Sequence, residues 1–175
     1  TLKSESADSK IGGLVGLNYG ALTIDNSSFD DIIEGKGISG GIIGSNTQTA
    51  KLSESTVNAD IKGGSSAAGV CANGGRVTIE NCDMVGSVTS ENGNAGGLAG
   101  VGYDCQIINS SVYADISSTS DNVGGIIGNC SGSGSIVKGN IYEGTISGIN
   151  NVGGVAGVIN RQKEFGKNIS KATII

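Results

Sequence analysis

A chain of 175 residues with 32 glycines and no proline is long enough to bury one core, yet with 3% aromatics it must build that core from Ile, Val, Leu and Ala. Its formal charge of −5 argues against a nucleic-acid partner, whose phosphates require a basic surface, and against an anionic membrane surface. No run of 18 apolar residues is present for a membrane-spanning helix, and the absence of histidine removes the usual base for serine or cysteine nucleophiles and a common zinc ligand.

The chain opens on a polar stretch, Thr1 to Lys10, with neither an initiating methionine nor a signal peptide. It reads as a piece of a longer protein whose targeting signals have been removed. Residues 1–10 form a lead-in or cap. Self-similarity begins at residue 11. A glycine-aliphatic-glycine motif appears as GGLVG from Gly12, GGIIG from Gly40, AGVCA from Ala68, GGLAG from Gly96, GGIIG from Gly124 and GGVAG from Gly153, at spacings of 28, 28, 28, 28 and 29 residues. A constant period of this length marks a repeat array.

Within each repeat a second apolar segment follows: ALTID at 21–25, AKLSE at 50–54, RVTIE at 76–80, CQIIN at 105–109 and SIVKG at 135–139. Leu22/Ile24 and Val77/Ile79 alternate as a half-buried strand does. The third segment sets a large, a small and a large residue on one face: Phe29-x-Asp31-x-Ile33, Val57-x-Ala59-x-Ile61, Met84-x-Gly86-x-Val88, Val112-x-Ala114-x-Ile116 and Tyr142-x-Gly144-x-Ile146. Asp31 is the misfit, and a bulge or shifted register is expected there. Residues 161–175, charged and off-pattern, read as a C-terminal cap or the start of a next region.

Three short strands every 28 residues, separated by Gly, Ser, Asn and Asp, predict an all-β fold, a β-solenoid of about six coils over residues 11–160. Helical repeats of this length need Ala, Leu, Glu and Lys to dominate, which they do not. A hairpin meander gives no reason for three segments to stay in phase. The period stacks Leu14, Ile42, Val70, Leu98, Ile126 and Val155 into one ladder about 4.8 Å per step. The flanking glycines are expected to supply positive φ angles and close backbone approach at the corners.

Candidate chemistry is sparse. Solenoid polysaccharide lyases and hydrolases use clustered Asp, Lys or Arg on one outer face; the acidic candidates are Asp30, Asp31, Asp60, Asp83 and Asp115, and no Lys or Arg ladder accompanies them. Asp60 and Asp115 are expected to point outward on one face about 10 Å apart, two coil spacings, slightly beyond the separation of an inverting glycosidase pair. No Asp follows the glycines as a calcium-binding nonapeptide requires, and Thr23, Thr78 and Thr89 form no ladder. Tyr19 and Tyr103 share a corner position three coils apart. Tyr142 takes a core position. Cys71 and Cys82 read as buried free thiols, and Cys105 and Cys130, at different offsets in adjacent coils, leave open whether they pair.

The repeat unit itself resembles the GLUG motif, a glycine-rich repeat of bacterial secreted and cell-surface proteins. The resemblance rests on Gly12, Gly13, Leu14, Val15, Gly16, Asn18, Gly20, Asn26 and Ser27, and again on Asn81-Cys82 and Asn109-Ser110. It implies a β-solenoid in an extracellular or cell-surface setting, mostly without catalysis. The motif also occurs in the N-terminal region of IgA-specific zinc metallopeptidases, whose peptidase helix carries histidines this chain lacks. The reading is a non-catalytic segment, without cofactor or metal, acting as a rigid spacer or adhesin-like surface. Its partner would be a host or bacterial surface protein or a glycan. The alternative is an accessory region of an extracellular enzyme, a metallopeptidase of that type or a polysaccharide-degrading one, catalytic elsewhere in its chain.

Overall fold

The computed structural model describes all residues 1–175. It is a β-solenoid: 25 strands and no helix, every strand pair parallel, each strand stacked on its equivalent one coil away. The strands fall into four sheets that wrap one apolar interior. Sheet A holds Leu2–Ser4 and the long strands Ser28–Gly35, Thr56–Gly63, Asp83–Ser90, Ser111–Ser118, Ile141–Ser147 and Ile169–Ile174. Sheet B follows in each coil with Lys10–Gly12, Ile38–Gly40, Ser66–Ala68, Asn94–Gly96, Val123–Gly124 and Val152–Gly153. Sheet C holds Val15–Asn18, Ile43–Asn46, Cys71–Gly75, Ala99–Tyr103, Ile127–Ser131 and Ala156–Asn160, and sheet D is built from the second apolar segments, Leu22–Asp25 through Glu164–Gly166.

Each coil therefore has four strands where the sequence predicts three. The glycine segment is bent in its middle, its first half in sheet B and its second in sheet C. At the bend the chain still bonds to the next coil. Leu14 donates its N–H to the carbonyl of Ile42, Ile42 to Val70, Val70 to Leu98, Leu98 to Ile126 and Ile126 to Val155, at 2.9–3.2 Å. The predicted ladder is thus continuous, and its inner members Ile42, Val70, Leu98 and Ile126 are fully buried.

The paired glycines are there for closeness, not for conformation. A Cβ on Gly69 would lie 2.6 Å from Met84 Cγ, and one on Gly97 would lie 2.6 Å from Val112 Cγ1. Likewise Gly13, Gly41 and Gly125 lie against Phe29, Val57 and Tyr142, the large inward residues of sheet A, while Gly154 in the last coil meets Ser170 and Ala172. None of the paired glycines has a positive φ, contrary to the expectation. The left-handed corners lie elsewhere: between sheets D and A at Asn26, Glu54, Asn81, Asn109, Gly139 and Lys167, between C and D at Arg76, Asp104, Gly132 and Arg161, and between A and B at Asn122 and Asn151. Asparagine tolerates this region better than other side-chain-bearing residues, which accounts for its frequency there.

After the left-handed corners between sheets D and A, the next residue at Ser55, Ser110, Asn140 and Asn168 carries an acceptor for the coil before it. Ser27 donates its N–H to Ser55 Oγ (3.2 Å), Cys82 to Ser110 Oγ (3.0 Å), Ser110 to Asn140 Oδ1 (3.0 Å) and Asn140 to Asn168 Oδ1 (3.0 Å). This is the physical content of the Asn-Ser and Asn-Cys steps. A corner N–H that cannot reach a ladder carbonyl is satisfied by a side chain from the next coil, sparing the cost of an unpaired buried donor.

Asp31 needs no register shift: it stays opposite Ala59, with its carboxylate in solvent. The same ladder place carries positive φ at Gly86 and Gly144. Tyr142 is fully buried, as predicted, with its hydroxyl 3.0 Å from the carbonyls of Ala114 and Thr145. Residues at both ends join the coils: Leu2–Ser4 pairs with Ile33–Gly35, while Glu164–Gly166 and Ile169–Ile174 extend sheets D and A.

Candidate interaction surface

Outward side chains are most numerous on sheet A, whose central strands run eight residues. Alternation along each strand and in-register stacking set them in rows. One row reads Asp30, Asn58, Val85, Tyr113, Glu143 and Lys171; the next reads Ile32, Asp60, Ser87 and Asp115. Val85 and Tyr113 stand side by side at the centre of the face, each about half exposed. They form an apolar spot flanked by charge, the composition that a contact surface presents. Sequence reasoning passed over both, although their places between inward Met84/Gly86 and Val112/Ala114 gave the signal.

The predicted carboxylates divide. Asp60 and Asp115 do share one outward row, with Ser87 between them. Each is held by the adjoining coil: Ser87 Oγ donates to Asp60 Oδ1 at 2.6 Å, and the Thr145 N–H donates to Asp115 Oδ1 at 2.9 Å. Asp30 accepts from Asn58 Nδ2 at 3.3 Å. Asp31 accepts from the Ile32 N–H at 2.7 Å. Asp83 stacks between Thr56 and Ser111 at the start of its strand.

A shallow groove of about 300 Å³ brings Asp30, Asp31 and Asp60 together with Ile32, Asn58, Ala59 and Gly86. Neither Asp115 nor any Lys or Arg lines it. No group of three His, Cys, Asp or Glu side chains is placed to hold a metal ion. The arrangement can accept hydrogen bonds from a ligand's hydroxyls or amides.

Tyr19 and Tyr103 are both well exposed at the corner between sheets C and D. They lie three coil spacings apart, about 14 Å, too far for one ring platform. Tyr103 edges a depression of about 190 Å³ with Ser131, Gly132, Ser133, Asn160 and Arg161. At the opposite end of sheet A, Lys3 bonds Glu5 and Glu34, Lys36 bonds Glu5, and Lys62 bonds Glu91. The Lys3 and Lys36 pairs clasp the first strand and its following residue to the next coil, and the Lys62–Glu91 pair joins the two coils after that.

The thiols are all buried and free. Burial pushes the Cys71 thiol up to about 12 and raises that of Cys82, so neither is a nucleophile at neutral pH. Cys105 and Cys130 are brought together, with their sulfurs 3.7 Å apart. No helix is long and apolar enough to cross a membrane. Comparison of the chain with protein-family models, with curated proteins and with solved structures returned no match.

Proposed function

We propose that this chain is a non-catalytic GLUG-like repeat segment of a bacterial surface or secreted protein, a rigid rod that presents sheet A as an adhesin-like contact surface. The observation that supports it best is the flat outward face itself: stacked rows of polar side chains held by coil-to-coil hydrogen bonds, with Val85 and Tyr113 exposed at their centre. A face whose side chains are already fixed by their neighbours loses little entropy on contact. An exposed Tyr beside an aliphatic residue is the kind of anchor that carries binding energy at interfaces. The partner chemistry that fits is a surface protein or a glycan with hydroxyl and amide donors toward the Asp30–Asp60 groove.

Arrays of glycans and of surface and matrix proteins, probed with the purified chain, test this. Binding that falls more than tenfold in the Tyr113→Ala variant, without loss of fold, supports the reading. Turnover of a polysaccharide or peptide by the chain would overturn it in favour of an enzyme. A chain that binds nothing on the arrays loses the adhesin role and keeps only that of spacer.

A further inference from the structure

Cys105 and Cys130 are 25 residues apart in a chain that repeats every 28, so they are not ladder equivalents. Cys130 stacks on Gly102 across sheet C. Cys105 comes three residues after Gly102, round the corner at Tyr103 and Asp104, where it precedes Gln106 of sheet D. The two thiols therefore meet diagonally across one corner, from the fourth coil to the fifth.

The local sizes of the side chains make the meeting specific. One coil earlier the same corner pairs Gly74 with Val77, and a Cβ on Gly74 would lie 2.8 Å from Val77 Cγ1. In the fourth coil Gly102 pairs with Cys105, and a Cβ on Gly102 would lie 2.6 Å from Cys105 Sγ. In the fifth coil the pattern inverts: the small residue is Ser135 and the sulfur is on Cys130. The glycine at 102 thus leaves open the space in which one sulfur faces the other at 3.7 Å. Ser135 Oγ stands farther off, 4.0 Å from Cys105 Sγ.

We propose that Cys105 and Cys130 are a cross-linking site that closes into a disulfide and staples the fourth coil to the fifth. A disulfide bond of about 2.05 Å requires the sulfurs, now 3.7 Å apart, to approach by roughly 1.7 Å. The oxidant is a small-molecule disulfide. One cysteine thiolate attacks its S–S bond and releases one thiol; the second cysteine displaces the other half. The two cysteines give up two protons and two electrons, and the oxidant leaves as two thiols. Hydrogen bonding between the sulfurs raises the Cys105 thiol and lowers that of Cys130, so Cys130 is the better attacking group. Both thiols are buried in the folded rod. Entry is from the C-terminal side, where Cys130 is covered by the last coil through Ile159, half exposed, and Gln162, whose amide bonds the Cys130 carbonyl at 2.9 Å. The reaction proceeds during folding or when that coil opens.

The test is to refold the reduced chain in a buffer of reduced and oxidised glutathione, alkylate it under denaturing conditions and map the peptides by mass. The expected result is loss of two of the four thiols, a linked peptide pair containing Cys105 and Cys130, and alkylated Cys71 and Cys82. The oxidised rod should melt roughly 5–10 °C above the reduced one, and Cys130→Ala should abolish that difference. Four alkylated thiols after oxidative refolding would overturn the proposal, as would a bridge that includes Cys71 or Cys82 or joins two chains.

Discussion

The middle of the rod and its C-terminal end are built on the same ladders, yet their burial differs sharply. Ile61 and Ile116 are 2% and 1% exposed, whereas Ile174, at the same ladder place in the last coil, is 56% exposed. Met84 and Tyr142 are fully buried; Ser170, which stacks on Tyr142, is exposed. Among Ile61, Ile116 and Ile174 the residue type is the same and cannot account for the difference. A solenoid side chain is buried by the coils on either side of it, so an end coil has half the neighbours of a middle one. The N-terminal end shows the same pattern, with Leu14 at 46% exposure on a ladder whose inner members are fully buried. Burial along these residues therefore follows position along the axis as well as residue type.

That contrast can be broken or sharpened by substitution. The largest effect is expected in the middle: Leu98→Ala leaves a cavity between two intact coils and should cost about 3 kcal/mol in urea unfolding. Ile174→Ala, at the open end, should cost under about 1 kcal/mol. Equal costs would show that the ends are covered in solution. Next comes the contact between glycine and ladder. Gly97→Ala places a methyl against Val112 and the Gly125 carbonyl, and overpacking of this kind costs about 1–3 kcal/mol. Gly20→Ala meets nothing within 4 Å and should be neutral or stabilise by about 0.5 kcal/mol, read as a shift of the thermal midpoint.

Ser110→Ala tests the corner acceptors. It strands the buried N–H of Cys82 and should cost about 1–2 kcal/mol; Ser110→Asn, which retains an acceptor as Asn140 does, should cost less. The smallest effect concerns the clasp at the N-terminal end. Hydrogen bonds from Lys36 and then Lys3 lower the Glu5 carboxyl from its ordinary 4.5. A lowered folded value means the clasp is fully present above about 4.5 and is lost as pH falls through the lowered value. Amide shifts of Leu2 and Lys36 followed by NMR should titrate below the ordinary glutamate value. Titration at or above it would show that the clasp does not persist in solution.

The period, the parallel stacking and the core ladders were legible because the chain repeats them, and each copy corrects for the noise in the others. The division of the glycine segment was not. Strands of two or three residues, such as Val123–Gly124, carry no alternation to read. The left-handed positions were misplaced for a related reason: glycine permits positive φ, but here it was needed for the methyl it lacks, and the corners went to Asn26, Asn81 and Asn109. Asp31 looked like a register fault because its neighbours in the ladder are small and apolar, but an exposed strand at the rod's end tolerates a carboxylate in that place. For the surface, the shared row of Asp60 and Asp115 followed from alternation. The adjacency of Val85 and Tyr113 followed from the same rule, and attention to the inward residues hid it. The meeting of Cys105 and Cys130 was beyond any reading by period, since it runs diagonally across a corner.

In-register stacking at a nearly constant interval has a consequence for how such a rod can vary. Ala68 and Gly96 are ladder equivalents, so joining Ala67 directly to Gly96 excises one whole turn and leaves every remaining ladder in phase. Length then changes in fixed increments of about 4.8 Å, and each increment adds or removes one full set of outward side chains. Reach and the length of every contact row are therefore a single inherited quantity, altered together by the gain or loss of one repeat.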